Sequence, residues 1–216
     1  MTCKEAIACL NGAFVGTILF HQCDCQSKVT VIFDIQGPPN GEFACHIHSY
    51  GDLRQGCKSL GPHWNPHNTT HGYTFDQSRP SHAGDLVGNI ITDSRGKYQF
   101  MYTDPKITLN GHLSIIGRSI VIHDGVDDLG LGGNAESLIT GNAGGRMDCA
   151  VIGLAKPPWF ISEREREREI LNIYIIYRSI SIEDVVILKR PYTRVSDSVL
   201  AISIRNNLFT VYFDVI

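Results

Sequence analysis

Val29-Thr30-Val31-Ile32-Phe33-Asp34-Ile35 places Val29, Val31, Phe33 and Ile35 at every second position. Side chains two apart on an extended chain share a face, so this stretch predicts a strand with one continuous apolar side. Working outward, further short segments of the same kind follow one another: Phe14–Gln22, Val29–Gly37, Phe43–Tyr50, Val87–Asp93, Tyr98–Asp104, Ser114–Asp124 and Met147–Ala155, with a weaker one near Glu5–Leu10. Gly, Asn, Asp and Pro separate them, and Asp93-Ser94-Arg95-Gly96-Lys97 reads as a hairpin turn. No segment here combines helical apolar spacing with a cap at each end. The expectation is an all-β fold, an antiparallel sandwich or barrel of about eight strands.

Two connections, 51–86 and 125–146, are too long for hairpins, and long structureless loops in a compact domain usually carry function. Most of the histidines lie in the first or at its edge. The composition changes at Pro157-Pro158, after which Glu and Arg alternate from Glu163 to Glu169 and the chain becomes rich in Ile, Tyr and Val. This divides the chain into residues 1–156 and a C-terminal extension, 157–216, of uncertain structure. An alternating charge run is ordinarily a solvated helix or a disordered stretch. It is also what a GA-dinucleotide repeat encodes, which suggests read-through of a non-coding stretch.

The chain has 216 residues, 43% of them hydrophobic, and a net charge of -3. That charge gives no reason to expect nucleic acid, which selects basic patches. No run approaches the ~20 apolar residues of a membrane span, and Lys4 and Glu5 precede any apolar run, so no secretory signal is read. The expected compartment is the cytoplasm, where disulfides are uncommon. Seven cysteines leave at least one unpaired in a monomer.

The chemistry concentrates in Cys45-His46-Ile47-His48. On a strand, His46 and His48 face the same side; alone, they could equally be two solvated imidazoles. Gly61-Pro62-His63-Trp64-Asn65-Pro66, His71-Gly72 and His82-Ala83-Gly84-Asp85 extend the set. His63, His71, His82 and Asp85 would form a four-coordinate shell suited to structural zinc. His46, His48, His63 and His123 would form an all-nitrogen site of the kind copper(II) prefers. His63 then serves both ions, which requires its ring to lose both protons between two cations.

These blocks, together with Tyr50-Gly51-Asp52, Gly56-Cys57, Asp127-Asp128-Leu129-Gly130 and Gly141-Asn142-Ala143-Gly144-Gly145-Arg146, resemble the copper/zinc superoxide dismutase family in order and spacing over about residues 5–155. The resemblance implies an eight-stranded Greek-key barrel and dismutation of superoxide to dioxygen and hydrogen peroxide. It implies copper on His46, His48, His63 and His123, and zinc on His63, His71, His82 and Asp85, with His63 also a proton donor. Asp127 would orient one histidine of each set. Arg146 would attract and hold superoxide. Cys57 and Cys149 would form a disulfide, leaving Cys3, Cys9, Cys23, Cys25 and Cys45 as free thiols. Cys23-Asp24-Cys25 is a weak candidate for copper(I).

The same resemblance implies a homodimer through Gly51, Ile116-Gly117 and Val151-Ile152-Gly153-Leu154, and metal loading by a copper chaperone. The sequence departs from the family in a longer segment between His71 and His82. It also has Gly125, Ala135 and Ile139 where steering residues are common, although Glu136 is kept. Two other readings are a dismutase-like domain of a copper chaperone, which binds copper without turnover, and a non-enzymatic product crippled by its tail. The complete ligand set and Arg146 favour the enzyme.

Overall fold

The computed structural model describes residues 3–156 and, beyond them, residues 186–189, 197–204 and 207–214. The chain divides into two compact units, one from Thr2 to Phe160 and one from Ile161 to Ile216.

The first unit holds two antiparallel sheets. One has the order β10-β1-β2-β3-β7, from Gly153–Leu154, Lys4–Asn11, Val15–Gln22, Val29–Gln36 and Lys97–Asp104. The other has the order β6-β4-β8-β9, from Gly88–Ile91, Glu42–His48, Ser119–His123 and Arg146–Val151. A short strand, β5 (Arg54–Cys57), lies in the first long loop. The expected alternation in β3 is present: Val29, Val31, Phe33 and Ile35 are buried and meet Ile18 and Phe20 of β2 in one core. Each such side chain removed from water is worth about 1.5–3 kcal/mol. After β3 the chain crosses to the second sheet for β4 and β6 and then returns to pair β7 with β3, a Greek-key path.

β4 is buried on both faces. Phe43, Cys45 and Ile47 point into the core, so Ala44, His46 and His48 point to the opposite side. β8 behaves likewise, with Ile120 and Ile122 in the core. The two long loops cover that outer face. They contain a short 3-10 turn (Lys58–Leu60) and a one-turn helix, α1 (Ser137–Thr140), where no helix was expected.

Three expectations are corrected in detail. Asp93–Lys97 is a tight turn closed by Asp93 N–H to Lys97 O at 2.9 Å, with Gly96 at φ 79°. It is not a hairpin, because β6 and β7 belong to different sheets. The strand expected over 114–124 begins only at Ser119; Ile115 is buried in the preceding turn, its N–H donating to Thr108 O. The strand expected over 147–155 breaks at Ile152, where the chain leaves β8 and crosses to β1 as β10. The expected weak first strand is a full eight-residue one.

In the second unit, β11 (Val186–Lys189), β12 (Asp197–Ile204) and β13 (Asn207–Asp214) form a three-stranded antiparallel sheet. The Glu-Arg alternation at 163–169, and the read-through reading attached to it, lie outside the described residues.

Candidate metal centre

The first long loop is fastened to the edge of β4 by its own backbone. Ser49 N–H donates to Pro62 O at 2.9 Å, Trp64 N–H to Ile47 O at 2.7 Å, and Ile47 N–H to Gly84 O at 2.8 Å. His63 is thereby laid beside His48 as an isolated bridge pair, and its ring centroid lies 4.0 Å from that of His46. Any side chain at Gly84 would run into the Ile47 carbonyl. His123 ends β8, and a register shift between Ile122 and His123 brings His123 opposite Arg146 at the start of β9. Such bulges re-aim side chains.

Two donor sets result, each with its ligand atoms within 4.8 Å of one another: His46, His48, His63 and His123, and His63, His71, His82 and Asp85. Both are the sets expected from the sequence, and both are buried. In the second, the Nδ1 atoms of His63, His71 and His82 lie 3.2, 2.9 and 3.0 Å from Asp85 Oδ1. Asp85 Oδ2 accepts from Gly72 N–H at 3.0 Å and His82 N–H at 2.7 Å, leaving Oδ1 for the centre.

Asp127 clasps the two sets together. Its Oδ2 lies 2.7 Å from His46 Nε2, and its Oδ1 lies 2.8 Å from His71 Nε2. Its own backbone is held by Asn89 of β6, which accepts from Asp127 N–H at 2.8 Å and donates to Asp127 O at 2.9 Å. Gly141, at φ 67° after α1, lies against this clasp: a Cβ there would run into Asp127 Oδ1 and His71 Nε2. Asn89 was not singled out from the sequence, and Gly141 entered only as part of the block from Gly141 to Arg146. Each acts through a contact distant along the chain.

The electrostatics suit metal ligands, which must be deprotonated to bind. Burial, then the neighbouring His63, lowers His46 to about 3, His48 to about 2 and His123 to about 4. Burial also lowers His63. His71 moves the other way: burial opposes its charge, but its hydrogen bonds with Asp127 and Asp85 outweigh that and raise it to about 9. Asp85 and Asp127 are held well below the usual carboxylate range; burial works against this, and the hydrogen-bonded histidines overcome it.

The fit to metal can be tested on two atoms. Among the described residues, His46 Nδ1 and His63 Nε2 are buried with no hydrogen-bond partner. An unpartnered buried acceptor is costly, and both atoms belong to rings of the all-histidine set. His48 and His123 direct their Nε2 atoms toward each other at 3.3 Å, with their Nδ1 atoms near Gly61 O (2.8 Å) and Gly144 O (3.4 Å). The four nitrogens suit copper and the N3O set suits zinc.

Arg146 is half-buried, and its guanidinium donates to Cys57 O at 2.6 Å and Gly61 O at 2.5 Å. Gly61 O therefore serves both Arg146 and His48. Cys57 and Cys149 form a disulfide with Cα atoms 5.8 Å apart, pinning the first loop to β9. The five other cysteines are free.

Residues 14–152 match a family model described as copper/zinc superoxide dismutase (SODC). Among similar proteins, the Cu-Zn superoxide dismutase of Candida glabrata is 48% identical over 153 residues, covering 69% of this chain and 97% of the relative. That of Paramecium bursaria Chlorella virus 1 is 51% identical over 153 residues, covering 70% of this chain and 79% of the relative. Among solved structures, the clock protein EA4 superposes with a TM-score of 0.66 at 42% identity, covering 72% of this chain and 97% of that one.

Proposed function

This chain belongs to the copper/zinc superoxide dismutase family, and from that premise we propose how its residues divide the work. It is an oxidoreductase that converts two superoxide ions and two protons to dioxygen and hydrogen peroxide, with copper and zinc as cofactors. We assign copper to His46, His48, His63 and His123, and zinc to His63, His71, His82 and Asp85. When bound, copper supplies the one-electron redox change and zinc a fixed positive charge. The observation that carries the assignment is His63, whose Nδ1 faces Asp85 while its Nε2 is buried and unpartnered among the copper set. When it is not held by copper, His63 Nε2 can take up a proton and deliver it to the departing peroxide. Arg146 holds the superoxide anion, its fork kept in place by backbone carbonyls. Asp127 orients His46 and His71.

Asp127→Asn removes one acceptor from this clasp, since a carboxamide cannot accept from both rings. Zinc affinity is expected to fall about ten- to a hundredfold with the fold intact, read by competition with a chromophoric chelator. Unchanged affinity would count against the orienting role.

Steering is expected to be weak. Residues 125–145 contain no Lys or Arg, and Leu131 and Ile139 stand 67% and 55% exposed in that loop. With Arg146 as the principal local cation, the rate should fall less than about threefold between ~0.01 and ~0.15 M ionic strength. Stopped-flow superoxide decay across that range measures it, and a steep fall would contradict it.

We take residues 1–156 as the dismutase domain and 157–216 as a separate extension, a division supported by the two compact units. A homodimer fits the surface. Gly51 packs against the Gly117 carbonyl beside Val151, and Leu154 is 69% exposed. A copper chaperone is the proposed metal donor. The proposed compartment is the cytoplasm, where exposed free thiols such as Cys9, Cys23 and Cys25 persist reduced. No helix among the described residues is long and apolar enough to cross a membrane.

The test is metal analysis, sedimentation and a superoxide assay on the full chain and on residues 1–156. Equal copper, equal activity and dimers in both are expected. Copper bound without activity in either would overturn the assignment of Arg146 and His63.

A further inference from the structure

β1 and β2 pair in a register that sets Glu5 opposite His21 and Lys4 opposite Gln22. The next step outward sets Cys3 opposite Cys23. Ala6, Ala8, Leu10, Ile18 and Phe20 fill the core face of this pair, so Cys3, Glu5, His21 and Cys23 share the solvent face.

On that face two sulfurs and one ring nitrogen converge. Cys3 Sγ lies 2.7 Å from Cys23 Sγ, and His21 Nε2 lies 3.1 Å from Cys23 Sγ. Their ligand atoms all fall within 4.8 Å of one another. The far side of the imidazole is also fixed, since His21 Nδ1 lies 3.0 Å from Glu5 Oε1. A carboxylate on the remote nitrogen selects the tautomer that presents Nε2 as a donor, the arrangement that orients metal-bound imidazoles. The turn carrying Cys23 is held by Asp24, whose Oδ1 accepts from Gln26 N–H and Ser27 N–H at 2.8 Å each.

The two thiols perturb each other. Burial and then the hydrogen bond to Cys23 push the Cys3 thiol up to about 11. Burial also opposes charge on Cys23, but its hydrogen bonds with Cys3 and His21 lower it. A cation that displaces the thiol protons meets two thiolates and a neutral imidazole.

We propose that Cys3, His21 and Cys23 bind one thiophilic d10 cation, copper(I) or zinc(II), at a third metal position distinct from the two histidine-rich sets. Soft thiolates select these ions, whereas the dismutase sets contain none. The partner the structure gives Cys23 is Cys3 and not the expected Cys25, which lies exposed in the following turn. Binding releases the thiol protons and needs no oxidant. The proposal does not depend on the dismutase assignment.

The test uses the full chain with its histidine sets saturated with copper and zinc, kept reduced and free of air. Copper(I) is titrated against a chromophoric copper(I) chelator and zinc(II) against a chromophoric zinc chelator, and native mass spectrometry counts the ions. One further equivalent is expected in at least one arm, and the arm identifies the ion. C3S and C23S should each abolish it, E5Q should weaken it about ten- to a hundredfold, and C9S and C25S should keep it. Unchanged superoxide activity in C3S and C23S shows that they fold. No further equivalent, uptake that survives in C3S and C23S, or a Cys3–Cys23 crosslink in place of uptake would overturn the proposal.

Discussion

Replacing Arg146 with alanine is expected to lower kcat/KM for superoxide about ten- to a hundredfold while both metals stay bound. The figure follows from a charge-assisted hydrogen bond worth about 1.5–3 kcal/mol and tenfold in rate per ~1.4 kcal/mol. Arg146 donates to the carbonyls of Cys57, Gly61 and, at 3.5 Å, Lys58. Those bonds use only part of the guanidinium's five donors, and the remainder are free for an anion. Lysine at this position keeps the charge but not the fork, so R146K should recover only part of the loss. Metal content by atomic emission and rates by stopped flow separate the possibilities. Full activity in R146A would show that substrate is held by something else.

The second large effect is on stability. Cys57 and Cys149 are 92 residues apart in sequence, and closing a loop of that length is worth about 4–5 kcal/mol in the chain-entropy account. Domains of this kind have only about 5–15 kcal/mol in total. The double replacement C57S with C149S should therefore remove roughly a quarter or more of the unfolding free energy of the metal-free chain, where bound ions do not mask the loss. Urea denaturation reads it directly, and a loss below ~1 kcal/mol would refute the estimate. Activity should fall as well, because Arg146 is anchored on the carbonyl of Cys57 itself.

The fold was legible where burial follows a period of two with large side chains, as in β3. β1 was read as weak because its core face is Ala6, Ala8 and Leu10, small residues that carry little apolar signal. The break at Ile152 was invisible because Ile152 is buried on both sides of the crossover, so the apolar run continues while the partner strand changes. Both metal sets were legible because imidazoles and a carboxylate in that order have few structural reasons to recur. The clasp on Asp127 was carried by resemblance, and its support by Asn89 depends on pairing across 38 residues. The Cys3–Cys23 approach was readable in principle: the β1–β2 register makes paired residue numbers sum to a constant, and these two cysteines satisfy it. It was missed because Cys23 and Cys25 are neighbours in sequence.

Gly141 sets a limit on how this enzyme can vary. The loop around it carries no Lys or Arg and exposes Leu131 and Ile139, features that water accommodates. At position 141 a single methyl group would press against the one carboxylate that steadies both halves of the centre. A residue with no side chain at all thus constrains the active site, and alanine there should disturb two metals at once without touching either.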